Sequence, residues 1–319
     1  MRKGKLTPSE LQSVIFDIVK RRREEVLLSA GFGEDCAVLK IDENILVTTD
    51  PITTKCNNIG NLAINVNAND ISASGGEPIA VTITILAPSD SSTEEIKNIM
   101  LDAEEAAEQL NIDIVGGHTE FTDAVNRIVV NCTMIGKVSE PVNSSGAKSG
   151  DSIIMTKYAA IEGTLILAER IKEISAQYQK ELEWMRVNLS VITEGRIASR
   201  HKVSAMHDVT EGGVFGAVAE MCGGLKGALI DVKSIPIMPV TKMLTEKYGL
   251  NVYKLIGSGS MLMTTDKPIK LIKALNESGI PAIEIGIINN SGKVIADYCD
   301  RYVSVEVEVD EILKADENL

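Results

Sequence analysis

The chain has 319 residues, of which 44% are apolar, and its formal net charge is -13 at pH 7. This length predicts two domains, each with its own core, and the apolar content is that of a folded protein. The negative charge argues against nucleic acid or an anionic membrane as a partner. It also means that a polyphosphate ligand would have to arrive neutralised by metal ions.

The sequence carries no membrane or export signal that we can identify. No apolar stretch approaches membrane-spanning length, and the N-terminal residues lack the apolar core of a signal peptide. The five cysteines are widely spaced without a C-x-x-C pair, so neither a zinc site nor a disulfide framework is indicated. We therefore expect a cytoplasmic protein with isolated thiols.

The first half of the chain alternates between helix and strand signals. Residues 7–10 read Thr-Pro-Ser-Glu, which predicts a capped helix start, and the β-branched residues 45–49 predict a strand that ends at Asp50. An Asn-rich helix is predicted over residues 65–78. Beyond it we expect a strand over residues 80–86, a capped helix over 92–110, a glycine loop over 116–120 and a long strand over 127–138.

The second half follows a linker-like segment, residues 139–151, that is rich in serine and glycine. We place the domain boundary there, which gives domains over residues 1–145 and 146–319. Both halves mix helices and strands, which predicts a two-domain α/β (α+β) fold. The predicted elements of the second half are strands over 153–155, 228–232, 260–265 and 282–288, a loop over 207–213, and helices over 162–174, 180–200, 214–221, 240–248 and 268–277.

The Asn-rich helix breaks local rules, because asparagines interrupt its apolar stripe and are poor helix formers. Its Asp70 has two upstream counterparts in polar surroundings, Asp35 after a glycine loop and Asp50 after a strand. Each aspartate alone is more often a turn or cap residue. Three carboxylates from three segments nevertheless predict a hard-cation site, and Mg²⁺ with a nucleotide suits them because Mg²⁺ combines one or two carboxylates with substrate phosphates.

Four glycine-containing loops accompany these aspartates, while neither a P-loop nor a dinucleotide fingerprint is present. Glycine lets the backbone approach a ligand closely, and a helix that opens after such a loop offers free N–H groups to phosphate. One Gly-Gly pair is a weak signal, because most such pairs are turns. The four loops lie at residues 31–33, 75–76, 116–117 and 212–213.

The glycine and aspartate motifs follow one another in a specific order along nearly the whole chain. They are Gly33-Glu34-Asp35-Cys36-Ala37-Val38, Thr48-Thr49-Asp50, residues 67–78, Gly116-Gly117-His118-Thr119-Glu120, residues 146–151, residues 207–213 and Gly257-Ser258-Gly259-Ser260-Met261-Leu262. In this order they resemble the aminoimidazole ribonucleotide synthetase superfamily. The segment at 207–213 looks most similar to the branch of HypE-like hydrogenase maturation factors.

This resemblance implies a PurM-like fold with an N-terminal ATP-binding domain and a C-terminal α/β domain. It also implies ATP and Mg²⁺ as cofactors, with Asp35, Asp50, Asp70 and Asp208 near the metal and the phosphates. Together with the glycine loops, the predicted nucleotide-binding set is Gly33, Asp35, Asp50, Asn67, Asp70, Gly116, Gly117, Thr119, Gly212 and Gly213.

Members of this superfamily use ATP to activate an oxygen, commonly of an amide, or to transfer the phosphoryl group. The resemblance therefore implies a ligase-like or kinase-like enzyme that phosphorylates or dehydrates a small molecule or a carboxamide. No cysteine follows Cys299, so the dehydration on a terminal cysteine that HypE performs is not expected. Two alternatives stay open, namely a thiamine-monophosphate-kinase-like phosphotransferase and a non-catalytic ATP-binding accessory or maturation protein.

Three residues are candidates for catalytic roles, namely His118, His207 and Asp208. His118 stands where the resembling branches have an acidic residue, and it is interpreted as a general base, a phosphate donor or a hydrogen-bonded loop residue. His207 precedes Asp208 in a glycine-rich segment, and a His-Asp pair of this kind can contact phosphate or substrate.

A twofold homodimer through N-terminal strands is the expected assembly. The strands over residues 80–86 and 127–138 are rich in β-branched residues with few charges, and an exposed edge of that kind invites pairing with another chain. The resemblance implies the same arrangement, in which the strands close a barrel and ATP binds near the interface.

Overall fold

The structure, a computed structural model, describes residues 3–29, 31, 36–54, 56–171, 174, 176–299, 301–306 and 309–317. The chain divides into one unit of residues 1–71 and 76–140 and another of residues 72–75 and 141–319. Within the described ranges, no helix has both the length and the apolar content needed to cross a bilayer. The domain boundary between residues 145 and 146 and the cytoplasmic location stay predictions.

The first unit is built on a mixed five-stranded sheet. Its described elements are β1 (Gly4–Lys5), α1 (Pro8–Leu11), a π-helix (Gln12–Phe16), β2 (Val26–Leu28), β3 (Val38–Leu39), β4 (Asn44–Ile52), α2 (Ile59–Ala73), β5 (Glu77–Pro88), α3 (Thr93–Leu110), β6 (Asp113–Thr122) and β7 (Val129–Val138). The strand order is β1-β6-β5-β7-β4, in which only β5 and β6 are parallel. The hairpin of β2 and β3 is separate from this sheet.

One face of this sheet carries the core of the unit, and the other face is more exposed and carries both polar and apolar side chains. Buried and half-exposed residues alternate along β5 and β7, as in a sheet with one packed face. Helix α2 packs closely on the sheet, because a Cβ added to Gly136 would lie 2.4 Å from the Ile71 side chain. Rows of side chains on the other face include Thr49 with Thr133 and Thr82, and Asn131 with Thr84.

Most predicted elements of the first half are confirmed in type, but the Asn-rich helix spans Ile59–Ala73 and not residues 65–78, because β5 already begins at Glu77. Three further corrections follow. The glycine loop at residues 116–120 is wrong, because this segment lies inside β6 and pairs with β5 along its length. Strand β4 continues past Asp50 to Ile52, so Asp50 lies within the strand rather than after it. The capping box at Thr7 and Glu10 forms as predicted, but a π-helix soon replaces the first α-helix.

The predicted exposed edges at residues 80–86 and 127–138 are also wrong. Strand β5 lies between β6 and β7, and β7 lies between β5 and β4, so both strands are paired on each side. The longer edge strand is β4, whose Ile45 and Val47 side chains are 57% and 64% exposed. The prediction failed because sheet order depends on the parallel crossover through α3, which the composition of a strand does not reveal.

The second unit contains a seven-stranded sheet covered by helices on both faces. Its described elements are β8 (Ser152–Thr156), α4 (Ile161–Glu169), α5 (Ala176–Val187), α6 (Ile192–Arg200), β9 (Ala205–Asp208), α7 (Gly213–Cys222), β10 (Gly227–Asp231), α8 (Pro239–Tyr248), β11 (Met261–Thr265), α9 (Pro268–Glu277), β12 (Ala282–Asn289), β13 (Val294–Asp297), β14 (Tyr302–Ser304) and α10 (Glu311–Glu317), with short 3₁₀ turns between some of them. The strand order is β14-β13-β10-β12-β8-β11-β9.

Helix α7 contributes to the core on one face of this sheet, and α6 and α9 contribute to the core on the other. The single helix predicted over residues 180–200 is wrong, because α5 and α6 are separated by a break. At this break the buried Lys157 ammonium donates to the carbonyl oxygens of Asn188 and Ser190, at 3.0 Å and 2.6 Å. These carbonyls are therefore unavailable for a continuous helix, and the long-range lysine contact was not visible in the local pattern.

A buried ion network stabilises the first unit. The Arg23 guanidinium, 8% exposed, donates to both carboxylate oxygens of Glu25, at 2.7 Å and 3.0 Å, and to Glu77 at 2.7 Å. The Lys137 ammonium also donates to Glu25, at 2.7 Å. The hydrogen bond from Arg23 is the main reason why the pKa of Glu25 is lowered to about 2.

We expect Glu25→Gln to lower the free energy of unfolding at pH 7 by about 2 kcal/mol, because it removes the carboxylate that both Arg23 and Lys137 contact and leaves Arg23 with Glu77 alone. The depressed pKa makes the Glu25 contribution complete above the ordinary value of 4.5 and progressively lost as the pH falls towards about 2. Urea unfolding from pH 7 to pH 2 should therefore show the free energies of unfolding of the wild type and of Glu25→Gln converging. The exposed neighbour Glu24→Gln is the control, and a difference that persists at pH 2 would contradict this reading.

Candidate functional site

Strand β4 and helix α2 bring together three of the predicted site residues, namely Asp50, Asn67 and Asp70. The Asn67 amide is fully buried and bonds both main-chain groups of Asp50. Its Oδ1 accepts from the Asp50 N–H at 2.9 Å, and its Nδ2 donates to the Asp50 carbonyl at 3.3 Å. The Thr48 hydroxyl donates to the Asp70 carboxylate at 2.5 Å. Asn67 therefore positions the strand, and its polar atoms are already engaged within the chain.

The Asp50 carboxylate differs from its surroundings, because it forms no hydrogen bond or ion pair with any described residue. Thr48 and Asp50 are two residues apart on β4, so their side chains lie on the same face, towards α2. Asp50 and Asp70 are thus two carboxylates on the facing surfaces of one strand and one helix. This donor set fits Mg²⁺, which takes one or two carboxylates and completes its octahedron with water and phosphate.

The structure does not bring the other two predicted metal ligands, Asp35 and Asp208, to Asp50 and Asp70. Asp35, together with the predicted ligand Gly33, lies outside the described residues. Asp208 belongs to the second unit. Among the described residues no group of three or more His, Cys, Asp or Glu side chains could hold a metal ion by protein ligands alone. The four-aspartate set therefore stays a prediction.

Gly116 and Gly117 lie at an irregularity in β6. The register between β5 and β6 shifts between Val81 and Thr82, so that one residue of β6 is left over before Gly116. Gly117 has φ +153°, and a Cβ at this position would lie 1.9 Å from the Ile83 carbonyl oxygen. Gly116 is less constrained, because the nearest atom to its Cβ would be a Thr82 methyl at 3.5 Å. Only Gly117 requires glycine for steric reasons.

A cavity of about 360 Å³ lies beside this glycine segment, within the first unit. Gly116, Gly117 and Thr119 border it, and Lys5 contributes the cation of its lining. Apolar residues of the π-helix and α3 form much of the remaining wall. Gly31 and Cys36, the described residues that flank the predicted ligands Gly33 and Asp35, line it as well. An apolar pocket with glycine backbone and one lysine has the character of a ligand site.

His118 borders the same cavity, but its side chain lies on the other face of the sheet. The register pairs Gly117 with Ile83, which lines the cavity, and pairs His118 with Thr84, which does not. The His118 Nε2 lies 2.9 Å from the Glu120 carboxylate. A carboxylate can only accept, so Nε2 carries the proton. His118 is therefore a hydrogen-bonded strand residue, and its catalytic role stays a prediction.

The glycine segment and the two aspartates lie on one face of the sheet but not beside each other. Gly117 is on β6 and Asp50 is on β4, with β5 and β7 between them. Three strand spacings amount to about 14 Å. A single copy of the first unit therefore presents two separate half-sites, one built from carboxylates and one from glycine backbone.

His207 and Asp208 lie on β9, paired with β11, and not in the predicted loop. The His207 Nε2 is 3.0 Å from the Glu220 carboxylate, and Nδ1 is 2.6 Å from the Asp208 carbonyl oxygen. Burial alone would lower the pKa of His207, but these two acceptors outweigh it and raise that pKa to about 9. The imidazole is thus doubly protonated at neutral pH and cannot serve as a general base in that state. Its predicted catalytic role is therefore not favoured.

Gly212 and Gly213 form the turn that opens α7, with φ +80° and +62°. Their amides are already used within the chain. The Gly212 N–H donates to the buried Asp310 carboxylate at 2.7 Å, and the Gly213 N–H donates to the Thr210 carbonyl at 3.1 Å. A carboxylate thus occupies the position where phosphate would meet the helix N-terminus. The predicted nucleotide contact through these two N–H groups is not favoured by this geometry.

A second buried carboxylate lies in the same region. Glu162, at the start of α4, is 5% exposed, and its Oε2 has no hydrogen-bond partner in the described part of the chain. Burial is the main reason why its pKa is raised to about 7, and the charges of Asp310 and Asp208 raise it further. Carboxylates therefore surround the start of α7, which makes this region of the second unit unfavourable for a bare anion.

Three of these residues were missed from the sequence, namely Lys5, Glu120 and Asp310. Glu120 could have been found, because residues two apart on a strand share a face and His118 lies two positions away. Lys5 and Asp310 gave no local signal. Their neighbours in the structure are distant in sequence. Lys5 pairs with Glu120 between β1 and β6, and Asp310 accepts from Gly212, which is 98 residues away.

Comparisons with known proteins agree with this architecture. Models of the N-terminal and C-terminal domains of AIR synthase related proteins match residues 33–138 and 148–299. A protein of Methanocaldococcus jannaschii, named for hydrogenase expression and formation, is 26% identical over 278 residues, which cover 81% of this chain and 80% of that protein.

Two solved structures of the hydrogenase maturation protein HypE share the fold. E. coli HypE has a TM-score of 0.81 at 19% identity and covers 97% of this chain and 100% of that one. HypE in complex with ATP has a TM-score of 0.80 at 16% identity, covering 98% of this chain and 97% of that one. At these identities the likeness shows the fold alone, and it confirms the predicted two-domain, PurM-like α/β architecture.

The two glycines of β6 provide a matched pair of variants. We expect Gly117→Ala to lower the free energy of unfolding by about 3 kcal/mol, because the new methyl would meet the Ile83 carbonyl in a backbone conformation that favours glycine. Gly116→Ala should change it by less than about 1 kcal/mol, because the space there is open. Chemical denaturation measures both, and equal losses in the two variants would contradict the assigned geometry.

Proposed function

Because this chain belongs to the AIR synthase related protein family, we propose that it binds ATP together with Mg²⁺ in its first unit. The observation that carries the proposal is the Asp50 carboxylate, which has no partner within the described chain and lies on the face that carries Asp70. Two carboxylates with one left uncompensated favour a cation as the missing partner. Mg²⁺ held by Asp50 and Asp70 would neutralise phosphate charge when it is bound.

The cavity beside β6 is the proposed location for the rest of the nucleotide. Its apolar wall suits a base or ribose, and the glycine backbone at Gly116 and Gly117 allows a phosphate to approach closely. The Lys5 ammonium supplies a charge-assisted contact for phosphate. This arrangement also explains how a chain with net charge -13 could accept a polyanion, because cations are provided at both half-sites.

We propose that the bound ATP is used to phosphorylate or dehydrate a small molecule or a carboxamide, in the manner that the family resemblance implies. The relatives named for hydrogenase expression and maturation suggest that this chain serves a maturation reaction of the same general kind. A non-catalytic ATP-binding accessory protein is the alternative. Release of ADP on incubation with Mg-ATP and small amides supports the enzyme, and binding without release supports the accessory protein.

We expect Asp50→Asn and Asp70→Asn each to weaken Mg-ATP binding by roughly ten- to a hundredfold, because each removes a charge-assisted contact worth about 1.5–3 kcal/mol. Titration calorimetry measures the affinity directly. Asp42→Asn, an exposed aspartate near the start of β4, is the matched control and should bind as the wild type does. His118→Ala should also retain binding, since its side chain lies away from the cavity. Unchanged affinity in both Asp50→Asn and Asp70→Asn would refute the metal-nucleotide site.

We also propose that two copies of the chain associate through the first unit, with β4 at the contact. The side chains of Ile45 and Val47 are large, apolar and exposed on this edge strand, which is the kind of surface that natural sheets cover. The threonine and asparagine rows on the same face offer hydrogen bonds to a second sheet. The free edge at the contact is β4, because β5 and β7 are paired on both sides and contribute only side chains of this face.

Val47→Lys should convert a wild-type dimer into a monomer at low micromolar concentration, because a twofold contact places two added charges in one interface. Sedimentation velocity measures the change. Leu101→Lys is the matched control, because Leu101 is an exposed apolar residue on α3, and this variant should remain dimeric. A wild type that is monomeric at these concentrations, or a dimer unaffected by Val47→Lys, would contradict the assembly.

A further inference from the structure

The π-helix of the first unit brings an aromatic side chain into the wall of the cavity beside β6. The Asp17 N–H donates to the Gln12 carbonyl at 2.9 Å, five residues earlier, and this spacing defines a π-turn. Residues five apart therefore lie on nearly the same face, and Leu11 and Phe16 both border the cavity. In a continuous α-helix, with about 100° between successive residues, these two side chains would point about 140° apart. The π-turn is thus the local feature that places Phe16 at the cavity.

The two sides of this segment differ in burial. Val14 and Ile18 are buried in the core, whereas the cavity-lining residues Leu11, Ile15 and Phe16 are only half-buried. In the part of the chain that the structure describes, the Phe16 ring forms no pair with another aromatic ring. Apolar surface of this ring is therefore available to an occupant of the cavity.

A second lining residue favours a planar aromatic occupant. Met100 of α3 belongs to the same wall, and a thioether makes favourable contacts with aromatic rings because its sulfur is polarisable. The Phe16 ring favours the same kind of partner, because aromatic rings stack on one another. A sugar or an aliphatic group would gain neither contact. The wall therefore suits a nucleobase better than a ribose.

We propose that Phe16 is a base-stacking residue, on which the nucleobase of the bound ATP lies, with Met100 as a second contact. The inference rests on the proposed function, because it assigns the base of that same nucleotide to this wall. The glycine backbone at Gly117 and the Lys5 ammonium border the same cavity and serve the phosphates. Base binding and phosphate binding thus depend on different residues and can be measured separately.

Calorimetry with two ligands, Mg-ATP and Mg-tripolyphosphate, tests this assignment, because tripolyphosphate has the same phosphate chain without a base. We expect Phe16→Ala to bind Mg-ATP about tenfold more weakly than the wild type, since it removes one base–aromatic stacking contact. Its affinity for Mg-tripolyphosphate should be unchanged. A general disturbance of the cavity would instead weaken both ligands.

Two further variants separate stacking from simple apolar contact. Phe16→Tyr keeps the ring and should bind Mg-ATP within about twofold of the wild type, whereas Phe16→Leu keeps apolar volume without the ring and should lose about fivefold. Leu101→Ala truncates an exposed apolar residue of α3 that does not line the cavity. It is the matched control and should bind both ligands as the wild type does.

Each outcome decides the inference. Unchanged Mg-ATP affinity in Phe16→Ala, an equal loss for both ligands, or wild-type Mg-ATP affinity in Phe16→Leu would overturn the stacking role. If Phe16→Ala does not fold, the comparison of Phe16→Leu with Phe16→Tyr decides in its place. A wild type that binds both ligands with equal affinity overturns only the base contact, whereas a wild type that binds neither refutes the proposed function and this inference with it.

Discussion

The hydrogen bonds between the Asn67 amide and the main chain of Asp50 are the constraint on which the candidate site depends. Strand β4 is an edge strand, and at Asp50 its outward main-chain groups are satisfied by a side chain of α2 in place of another strand. The asparagine lies in mid-helix, where it is intrinsically unfavourable, and is fully buried. The contact offsets this cost because it fixes helix and strand together and holds Asp50 with a carboxylate that has no partner among the residues the structure describes.

This constraint limits the shape that the proposed nucleotide site can have. The carboxylates are fixed at the β4 side of the sheet, while the glycine segment and the cavity are fixed at β6, about 14 Å away. The strands between them are rigidly paired, so the two half-sites cannot approach each other by small movements. In the proposed function, one nucleotide would therefore have to extend between the half-sites, or a second copy of the chain would have to complete each site. The exposed apolar residues of β4 favour the second copy.

Much of the fold is predictable because local sequence patterns, such as capping boxes and hydrophobic periodicity, determine the type of each element. The capping boxes at Thr7 and Ser92 form as expected, and the alternating strands of the first unit have the predicted type.

The predictions are wrong where a partner distant in sequence determines the local structure. The glycines of β6 were read as a loop, but pairing with β5 keeps them in a strand, and Lys157 divides a helix that local periodicity continues. For the site, the Asn-rich helix pointed to the segment that contains Asp70 and contacts Asp50, and the metal-binding role of these two residues stays a prediction. The sequence could not show that Asn67 and the Gly212 amide are occupied within the chain, because their partners are distant in sequence.

The proposed function requires Asp50 and Asp70 to bind a nucleotide through a divalent cation. Calorimetry of the wild-type chain with ATP, once in excess Mg²⁺ and once in EDTA, tests it without any substitution. We expect binding in Mg²⁺ and at least a tenfold loss of affinity in EDTA, because the phosphates would then face Asp50 and Asp70 without a neutralising ion. Equal affinity under both conditions, or no binding in Mg²⁺, would contradict it.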